Sequence, residues 1–292
     1  MEKVEETLIT LGDYEEESKF KKRLKKYKFL KVLHICNTAG VASIIAKFMN
    51  HAEEIDVDVF QRKCLDKYGL TTYGEYLNCG AWRFGLACLL KARKYDLVHV
   101  HGFDKLLPWL GAFYPDKPKI MHYHGTRIRG RWLERRKYWK FAQKIFYSTW
   151  DLESPDMPEN AVHIPNPVDT DLFHNFTECL KKPNSALTMN TSLNQKKALE
   201  YAAKHGLELT IHELGVPYRE MPKLLSTFEY YIDVKTIPSG HGLSKTALEA
   251  LACRLKVINW RGEIVEKLPF EHDPENVVHE LHRIYEEMLY EH

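Results

Sequence analysis

The sequence predicts an α/β protein made of two doubly wound, Rossmann-like domains. Apolar, strand-like segments alternate with helix-like segments from Phe29 to Ser148, and the alternation returns at Ser185. Such alternation is typical of parallel sheets that are covered by helices. The chain of 292 residues is long enough for two domains of ordinary size.

Composition narrows the class of protein. The net charge is only +2, and the six cysteines show neither a CxxC pair nor a zinc spacing, so we expect reduced thiols. The sequence has no run of about 18 apolar residues, which a membrane-spanning helix would need. The acidic first residues do not fit a signal peptide. We therefore expect a cytoplasmic protein.

The chain divides into three parts. Residues 1–28 form a charged N-terminal segment, for which a surface helix and a partly ordered tail both remain open. Residues 29–165 are predicted to form the N-terminal domain, and residues 166–292 the C-terminal domain. The segment from Val162 to Phe173 contains two prolines, which suit a stiff domain boundary, although a simple Pro-rich turn is an alternative. The residues from Pro274 to Tyr290 predict a final helix.

The stretch from Pro238 to Trp260 holds the strongest binding motif. A glycine-containing turn leads into a helix predicted near Ser244 to Cys253, and a short apolar strand follows. The first turn of a helix offers unpaired N–H groups and a positive dipole end, and Lys245 would add charge there for a phosphate. Glu249 could accept hydrogen bonds from a sugar or ribose hydroxyl. An ordinary loop capped by Ser244 is the alternative.

The residues GLSKTALEALACRLKVINW, from Gly242 to Trp260, resemble the donor-site signature of the GT-B glycosyltransferases, in particular family 4. In that family a Glu precedes a glycine loop, and a second Glu follows on the helix. Glu249 matches the second Glu, whereas His241 stands at the position of the first. The segment VHIPNPVDTDLF also resembles the family's interdomain segment, and a final helix in this fold often crosses back onto the first domain.

The resemblance implies a GT-B fold, in which the two Rossmann-like domains face a cleft. It also implies that a sugar is transferred, with retention, from a UDP- or GDP-sugar to an acceptor sugar or lipid. The implied reaction uses neither a metal nor another cofactor. His124 and His241 are the implied catalytic residues, because a family histidine beside the donor sugar resembles His124. The implied donor-binding residues are Gly242, Leu243, Ser244, Lys245, Thr246, Glu249 and Lys196. The implied acceptor-side residues are Gly40, His101 and Arg127.

Two other functions remain open on the same scaffold. A nucleotide-sugar epimerase would bind the same donor without an acceptor. A nucleotide-binding protein would keep the fold and lack catalysis. The second is favoured by His241 and by the absence of the arginine that the family carries before the lysine equivalent to Lys196.

Histidines recur where two strands end, in HVHG from His99 to Gly102 and in HYHG from His122 to Gly125. Imidazoles are good zinc ligands, but no Asp, Glu or Cys stands nearby at a ligand spacing. We also expect His99 and His122 to point to the side opposite a shared site. The sequence therefore predicts no metal site, and a structural role remains an alternative for each histidine.

The most basic stretch runs from Gly125 to Phe141. Trp132 and Trp139 are expected to share one helical face. One interpretation is an anionic membrane surface, bound by basic residues and by partly inserted Trp rings. The other is a solvated helix whose Trp side chains face the core. We expect no nucleic acid, because no recognised nucleic-acid motif accompanies the charge.

Overall fold

The computed structural model describes residues 30–51, 55–125, 127–176, 179–191, 193–236 and 242–290. The charged N-terminal segment and the implied catalytic residue His241 lie outside these ranges. Within them, no helix combines the length and the apolar character that crossing a bilayer requires.

The first domain is built on a sheet of seven parallel strands. These are β1 (Leu30–Ile35), β2 (Ile55–Arg62), β3 (Glu75–Leu77), β4 (Leu97–His101), β5 (Lys119–Tyr123), β6 (Lys144–Tyr147) and β7 (Ala161–His163). Their order is β3-β2-β1-β4-β5-β6-β7, so the direction of winding reverses between β1 and β4. In doubly wound sheets, ligands bind at this reversal, beyond the carboxyl ends of the strands.

Helices cover both faces of this sheet. They are α1 (Val41–His51), α2 (Ala81–Ala92), α3 (Leu107–Phe113) and α4 (Trp132–Trp139). Successive strand residues point to opposite faces, so Val32 and Leu97 pack in the core beneath α1. Leu33 and Val98 pack in the second core, beneath α2, α3 and α4.

The second domain has a smaller sheet with the order β12-β11-β10-β8-β9. Its strands are β8 (Ser185–Met189), β9 (Glu208–His212), β10 (Tyr230–Ile232), β11 (Lys256–Ile258) and β12 (Ile264–Val265), and β12 pairs antiparallel with β11. Its helices are α5 (Gln195–Lys204), α6 (Met221–Ser226) and α7 (Lys245–Ala252). α6 and α7 cover one face, and α5 contributes to the core on the other.

The final helix, α8 (Pro274–Tyr290), lies against the first domain. Val277, Leu281 and Tyr285 recur at a spacing of four residues, which places them on one face of the helix. All three are buried in the core that also contains Val41 and Ile45 of α1. The last helix of the chain therefore helps to build the first domain.

The sequence from Tyr218 to Phe228 predicts one helix, but the structure divides this segment. Tyr218–Glu220 forms a 3₁₀ turn, and α6 begins at Met221 with Pro222 in its first turn. Proline has no N–H group to continue an earlier helix, but it fits the start of a new one. The strands β3, β7 and β12 were not predicted, because two or three residues are too few for a recognisable alternation.

Direct contacts join the two domains. Lys47 of α1 donates to Asp169 (2.7 Å), whose side chain is 1% exposed, and it also pairs with Asp171 (2.8 Å). The Tyr218 N–H group donates to the Tyr68 carbonyl oxygen (2.8 Å). Burial lowers the pKa of Lys47, but the two carboxylates outweigh it and raise the pKa above its usual value. Lys47 is therefore a charged link between the domains.

We predict that Lys47→Met lowers the free energy of unfolding by about 2 kcal/mol, because the buried Asp169 carboxylate loses its cation. The control is Lys31→Met, whose pair with Asp56 (3.6 Å) is half exposed on both sides. The control should change stability by less than about 1 kcal/mol. Urea denaturation measures both, and equal effects would contradict the structural role of Lys47.

Candidate active site

The wall of the cleft that the second domain contributes begins with α7. Ser244 caps this helix, since its side chain accepts a hydrogen bond from the Ala247 N–H group (3.3 Å). The Ser244 N–H group donates to Asp233 (2.7 Å), which follows β10. The first turn of α7, with Lys245 and Thr246, therefore faces the cleft from a fixed position beyond the carboxyl end of β10.

Lys245, Glu249 and Tyr218 form a compact hydrogen-bonded group behind that turn. The Lys245 Nζ donates to Glu249 Oε1 (2.8 Å) and contacts Tyr218 Oη (2.7 Å), and Tyr218 Oη also donates to Glu249 Oε1 (2.8 Å). Burial, followed by the Glu249 carboxylate, raises the pKa of Tyr218 well above its usual value. Glu249 is only 3% exposed, so its observed role is to hold Lys245 and Tyr218.

Both domains line the cleft. The first contributes Ala39, Tyr68 and Leu70, and the second contributes Met189, Thr191, Leu214, Gly215, Val216, Tyr218, Met221, Lys245, Thr246 and Glu249. Gly40 lies at their junction with a φ of +79°, and a Cβ atom there would be 3.3 Å from the Leu70 carbonyl oxygen and 3.4 Å from Lys245 Nζ. A glycine at this position lets the first domain approach Lys245 closely.

Five histidines cluster at the carboxyl ends of β1, β4 and β5. They are His34, His99, His101, His122 and His124, and their imidazole rings lie close together, some stacked and some tilted, with a centroid distance of 4.2 Å between the stacked rings of His99 and His101. The expectation that His99 and His122 point away from the other two was wrong. Residues at i and i+2 of a strand share a face, so each HxH motif presents both of its imidazoles on the same side.

Tyr285 of α8 and Ser148 complete the cluster, and we call these seven residues the histidine network. The hydrogen bonds join Tyr285 Oη to His34 Nε2 (3.1 Å), His34 Nδ1 to His101 Nε2 (3.1 Å), His101 Nδ1 to His124 Nε2 (2.9 Å), His124 Nδ1 to Ser148 Oγ (2.8 Å), Ser148 Oγ to His122 Nε2 (2.8 Å), His122 Nδ1 to His99 Nε2 (3.2 Å) and His99 Nδ1 to Tyr285 Oη (2.6 Å). The series returns to its starting atom and is closed.

Burial keeps these imidazoles uncharged. It lowers the pKa of His34 to about 3, and it lowers the pKa values of His99, His101 and His122 well below their usual range, with neighbouring histidines adding to the effect. The pKa of His124 falls to about 4, first by burial, with Asn166 acting against the change and Lys245 adding to it. The charge of Lys245 therefore reaches His124 across the cleft.

His124 is the half-buried histidine of the network, and it is not among the described residues that line the cleft. Both of its ring nitrogens have partners, and Nδ1 also lies 3.4 Å from Asn166 Oδ1. His101 is 1% exposed and bonds on both sides within the network. The acceptor-side role of His101 therefore stays a prediction, and its burial leaves it no exposed surface of its own.

The other site residues that the resemblance implies lie at different places in the structure. Lys196 is exposed in the first turn of α5 and is not among the described residues that line the cleft. Arg127 is exposed, and its Cδ lies 3.9 Å from a Cβ atom placed on Gly102, near the cleft end of β4. Gly242 and Leu243 lead into α7, where Leu243 packs on the core of the second domain.

The basic stretch does not form the surface that the membrane interpretation required. Trp132 is 1% exposed, and its Nε1 donates to the Leu152 carbonyl oxygen (2.7 Å). Arg135 is buried against Asp104, and Arg129 pairs with Asp151. Insertion of Trp132 into a membrane is therefore excluded, because its ring already fills the core. The interpretation with core-facing Trp side chains holds at this position.

The network was largely missed from the sequence. His34, Ser148, Asn166 and Tyr285 received no role, because they lie in four separate segments. The HxH pattern on two neighbouring strands was the available signal, once the period of two is applied to both motifs.

Solved structures resemble this arrangement, whereas neither the protein-family models nor the curated proteins compared with the chain match it. An α-glucosyltransferase in complex with UDP and a 13-mer DNA is 10% identical, with a TM-score of 0.57 and 90% of each chain covered. A sucrose-phosphate synthase from Thermosynechococcus elongatus is 12% identical, with a TM-score of 0.50, and 89% of this chain and 90% of that chain are covered. The chain therefore has the GT-B fold, with two Rossmann-like domains facing a cleft.

We predict that Gly40→Ala destabilises the protein by about 1–2 kcal/mol, because the added methyl group meets a positive φ and the Leu70 carbonyl oxygen. Gly206→Ala is the matched control. Gly206 also has a positive φ (+64°), but no atom lies within 4 Å of its added Cβ atom. Thermal unfolding of both variants isolates the contact, and equal losses would contradict crowding at Gly40.

We predict that stability falls steeply between about pH 6.5 and pH 4. Unfolded histidines bind protons near pH 6.5, whereas the buried ones stay neutral, so each costs up to about 1.4 kcal/mol per pH unit over this range. His124 contributes less because it is half exposed. Urea denaturation at a series of pH values gives the slope. The slope should survive His279→Gln, which changes an exposed residue of α8, and a slope typical of one histidine would contradict the burial.

Proposed function

We propose that the protein is a cytoplasmic, retaining glycosyltransferase that moves a sugar from a UDP- or GDP-sugar to an acceptor sugar or lipid. The observation that supports this proposal is the position of Lys245, which lies in the first turn of α7 and opposite Gly40 across the cleft of a GT-B fold. The similarity to the two solved structures supports the fold alone, so the reaction rests on the residues of the cleft.

The chemistry requires charge at the leaving group. Departure of a nucleoside diphosphate places negative charge on phosphate oxygens, which a cation and free N–H groups at a helix start stabilise. Lys245 supplies the cation, and the first turn of α7 supplies the N–H groups. Glu249 and Tyr218 fix the ammonium group in advance, so the cation needs no reorganisation during the reaction. The apolar Met189, Leu214 and Val216 would cover the base.

The sugar would lie between Lys245 and His124. The contact of His124 Nδ1 with Asn166 is the longest that it makes, at 3.4 Å, and a sugar hydroxyl could replace it. Gly40 and Arg127 would lie on the acceptor side of the sugar. His241 stays a proposed catalytic residue on the resemblance alone, and Lys196 is a weaker donor-binding proposal because it is exposed away from the cleft lining.

A nucleotide-binding protein without turnover is the second candidate. The observation that favours it is the engagement of both His124 nitrogens within the network. A panel of UDP- and GDP-sugars separates the functions. Transfer needs an acceptor, epimerisation of the donor does not, and a protein of the second kind would show a raised melting temperature with donor but no product.

We predict that Lys245→Met weakens UDP or GDP binding by about 1.5–3 kcal/mol, roughly 10- to 100-fold in Kd, since the diphosphate loses a charge-assisted hydrogen bond. Glu249→Ala should produce a similar loss, because it releases Lys245. Lys196→Met, which removes an exposed cation from the same domain, serves as the comparison. Calorimetric titration measures all three, and unchanged affinity in folded Lys245→Met would remove Lys245 from the donor site.

We predict that His124→Ala lowers turnover by at least about 100-fold while it changes nucleotide affinity little, because His124 acts at the sugar end. Initial rates with the best donor and equilibrium binding of its nucleotide give the two quantities. Equal losses in both would mean that His124 only supports the fold.

The membrane partner requires a different surface from the one first expected. α2 and α3 expose Trp82 (75%), Leu90 (67%), Trp109 (50%) and Phe113 (61%), and the two Trp rings meet edge to face at 6.2 Å. Exposed aromatic and aliphatic side chains at this density suit the interfacial region of a bilayer. Attachment of this face to an anionic membrane would suit a lipid-linked acceptor.

Vesicle co-sedimentation tests the attachment. We predict that the wild type binds vesicles with anionic lipids at low salt, and that Trp82→Ser with Trp109→Ser abolishes binding. Phe270→Ser is the control, because Phe270 is equally exposed (77%) but belongs to the second domain. No wild-type binding at low salt would leave a soluble acceptor as the proposal.

A further inference from the structure

The hydrogen-bond donors of the histidine network match its acceptors in number. A neutral imidazole has one N–H donor and one acceptor nitrogen, and a hydroxyl likewise supplies one donor. Seven such groups are joined by seven hydrogen bonds in a closed series. Each group therefore donates once and accepts once, and no network nitrogen or oxygen is among the unpartnered buried polar atoms of the described residues.

Closure couples the tautomers of all five histidines. If His124 carries its proton on Nδ1, its Nε2 must accept from His101 Nδ1, which makes His101 Nε2 an acceptor in turn. Following the same rule through Tyr285 and back through Ser148 places the proton of every imidazole on Nδ1. The reverse direction places every proton on Nε2, and a mixture leaves two donors or two acceptors facing each other.

Asn166 selects between the two directions. Its Oδ1 lies 3.4 Å from His124 Nδ1, and a carbonyl oxygen can only accept. A proton on Nδ1 of His124 serves both Ser148 and Asn166, whereas the reverse direction would set two lone pairs against each other. The side chain at the domain junction thus favours Nδ1–H at all five positions.

The histidine network suits hydrogen bonds between its imidazoles better than it suits a bound metal ion. Two sets of three histidines, His34, His99, His101 and His101, His122, His124, bring ligand nitrogens within 4.8 Å. Any ion there would have to break hydrogen bonds between the imidazoles. None of the seven network residues is a carboxylate, so a divalent charge would be buried without a counter-charge, which is costly.

We propose that the histidine network locks its half-exposed member, His124, as a neutral Nδ1–H tautomer, with Tyr285 as the positioning residue that closes the network. The proposal rests on the sugar-contact role assigned to His124 above. Glycosyl transfer develops positive charge on the sugar, so a neutral imidazole avoids repelling it. The Nδ1–H group donates first to Ser148, so a sugar hydroxyl would take over only its second, longer contact, which Asn166 makes at 3.4 Å.

The first test needs no substrate. In protein labelled with ¹⁵N-histidine, long-range proton–nitrogen spectra at pH 7 should show the Nδ1–H pattern for all five network histidines, each assigned through a single-histidine variant. A signal typical of Nε2–H or of imidazolium from any of them would overturn the proposal. One tightly bound metal ion per chain, found by elemental analysis of the purified protein, would overturn it as well.

The second test opens the network by one hydroxyl. Tyr285→Phe removes the partner of His34 and His99, so the common Nδ1–H pattern should be lost and turnover should fall about tenfold at unchanged nucleotide affinity. Tyr123→Phe is matched, since it removes a buried hydroxyl between His122 and His124 in the chain, but one that bonds to Asp104 on the other face of the sheet. It should keep the pattern.

The two tests separate this proposal from the proposed function. Intact Nδ1–H signals without turnover of any nucleotide-sugar would contradict the glycosyltransferase and leave the lock in place. Normal turnover and an unchanged nitrogen spectrum in Tyr285→Phe would overturn the lock and leave the glycosyltransferase in place.

Discussion

Four buried imidazoles and the half-buried His124 can lie together beneath α8 because every one of their nitrogens has a hydrogen-bond partner. An unpaired polar group in this core would cost about 1–3 kcal/mol, and the closed series removes that cost at every position together. The series closes through Tyr285, so α8 must lie on the first domain for β1, β4 and β5 to keep their histidines. The crossing of the last helix is thus a condition of the first core.

On the wall of the cleft formed by the second domain, a largely buried charge likewise has hydrogen-bond partners. The ammonium group of Lys245 has lost most of its water, and Glu249 and Tyr218 replace it. Because the Glu249 carboxylate is engaged in this internal contact, it lies behind Lys245. The Lys245 ammonium group is then the charge that α7 directs toward the cleft. Gly40 then lets the first domain come close enough for Lys245 to act on His124.

The fold was predictable because the alternation of apolar and helix-like segments is visible in a single sequence, and the final helix α8 has the bounds predicted for it, Pro274 to Tyr290. The turn and helix around Lys245 were predictable because N-cap chemistry is local. The histidine network was not, since its partners come from distant segments and only the register of β1, β4 and β5 brings them together. The burial of Trp132 was hidden for a similar reason, because charge dominates the sequence around it while its partner, Leu152, comes from a later loop.

The network also ties His124 to both connections between the domains. Asn166 belongs to the segment that leaves the first domain. Its main-chain carbonyl oxygen accepts a hydrogen bond from His272 Nδ1 (2.8 Å), and His272 precedes α8, where the chain comes back to the first domain. Asn166 contacts His124 from one side, and Tyr285 of α8 reaches it through His34 and His101 from the other. A change in the angle between the domains must move these two connecting segments. His124 is therefore positioned by contacts that come from both segments that connect the domains.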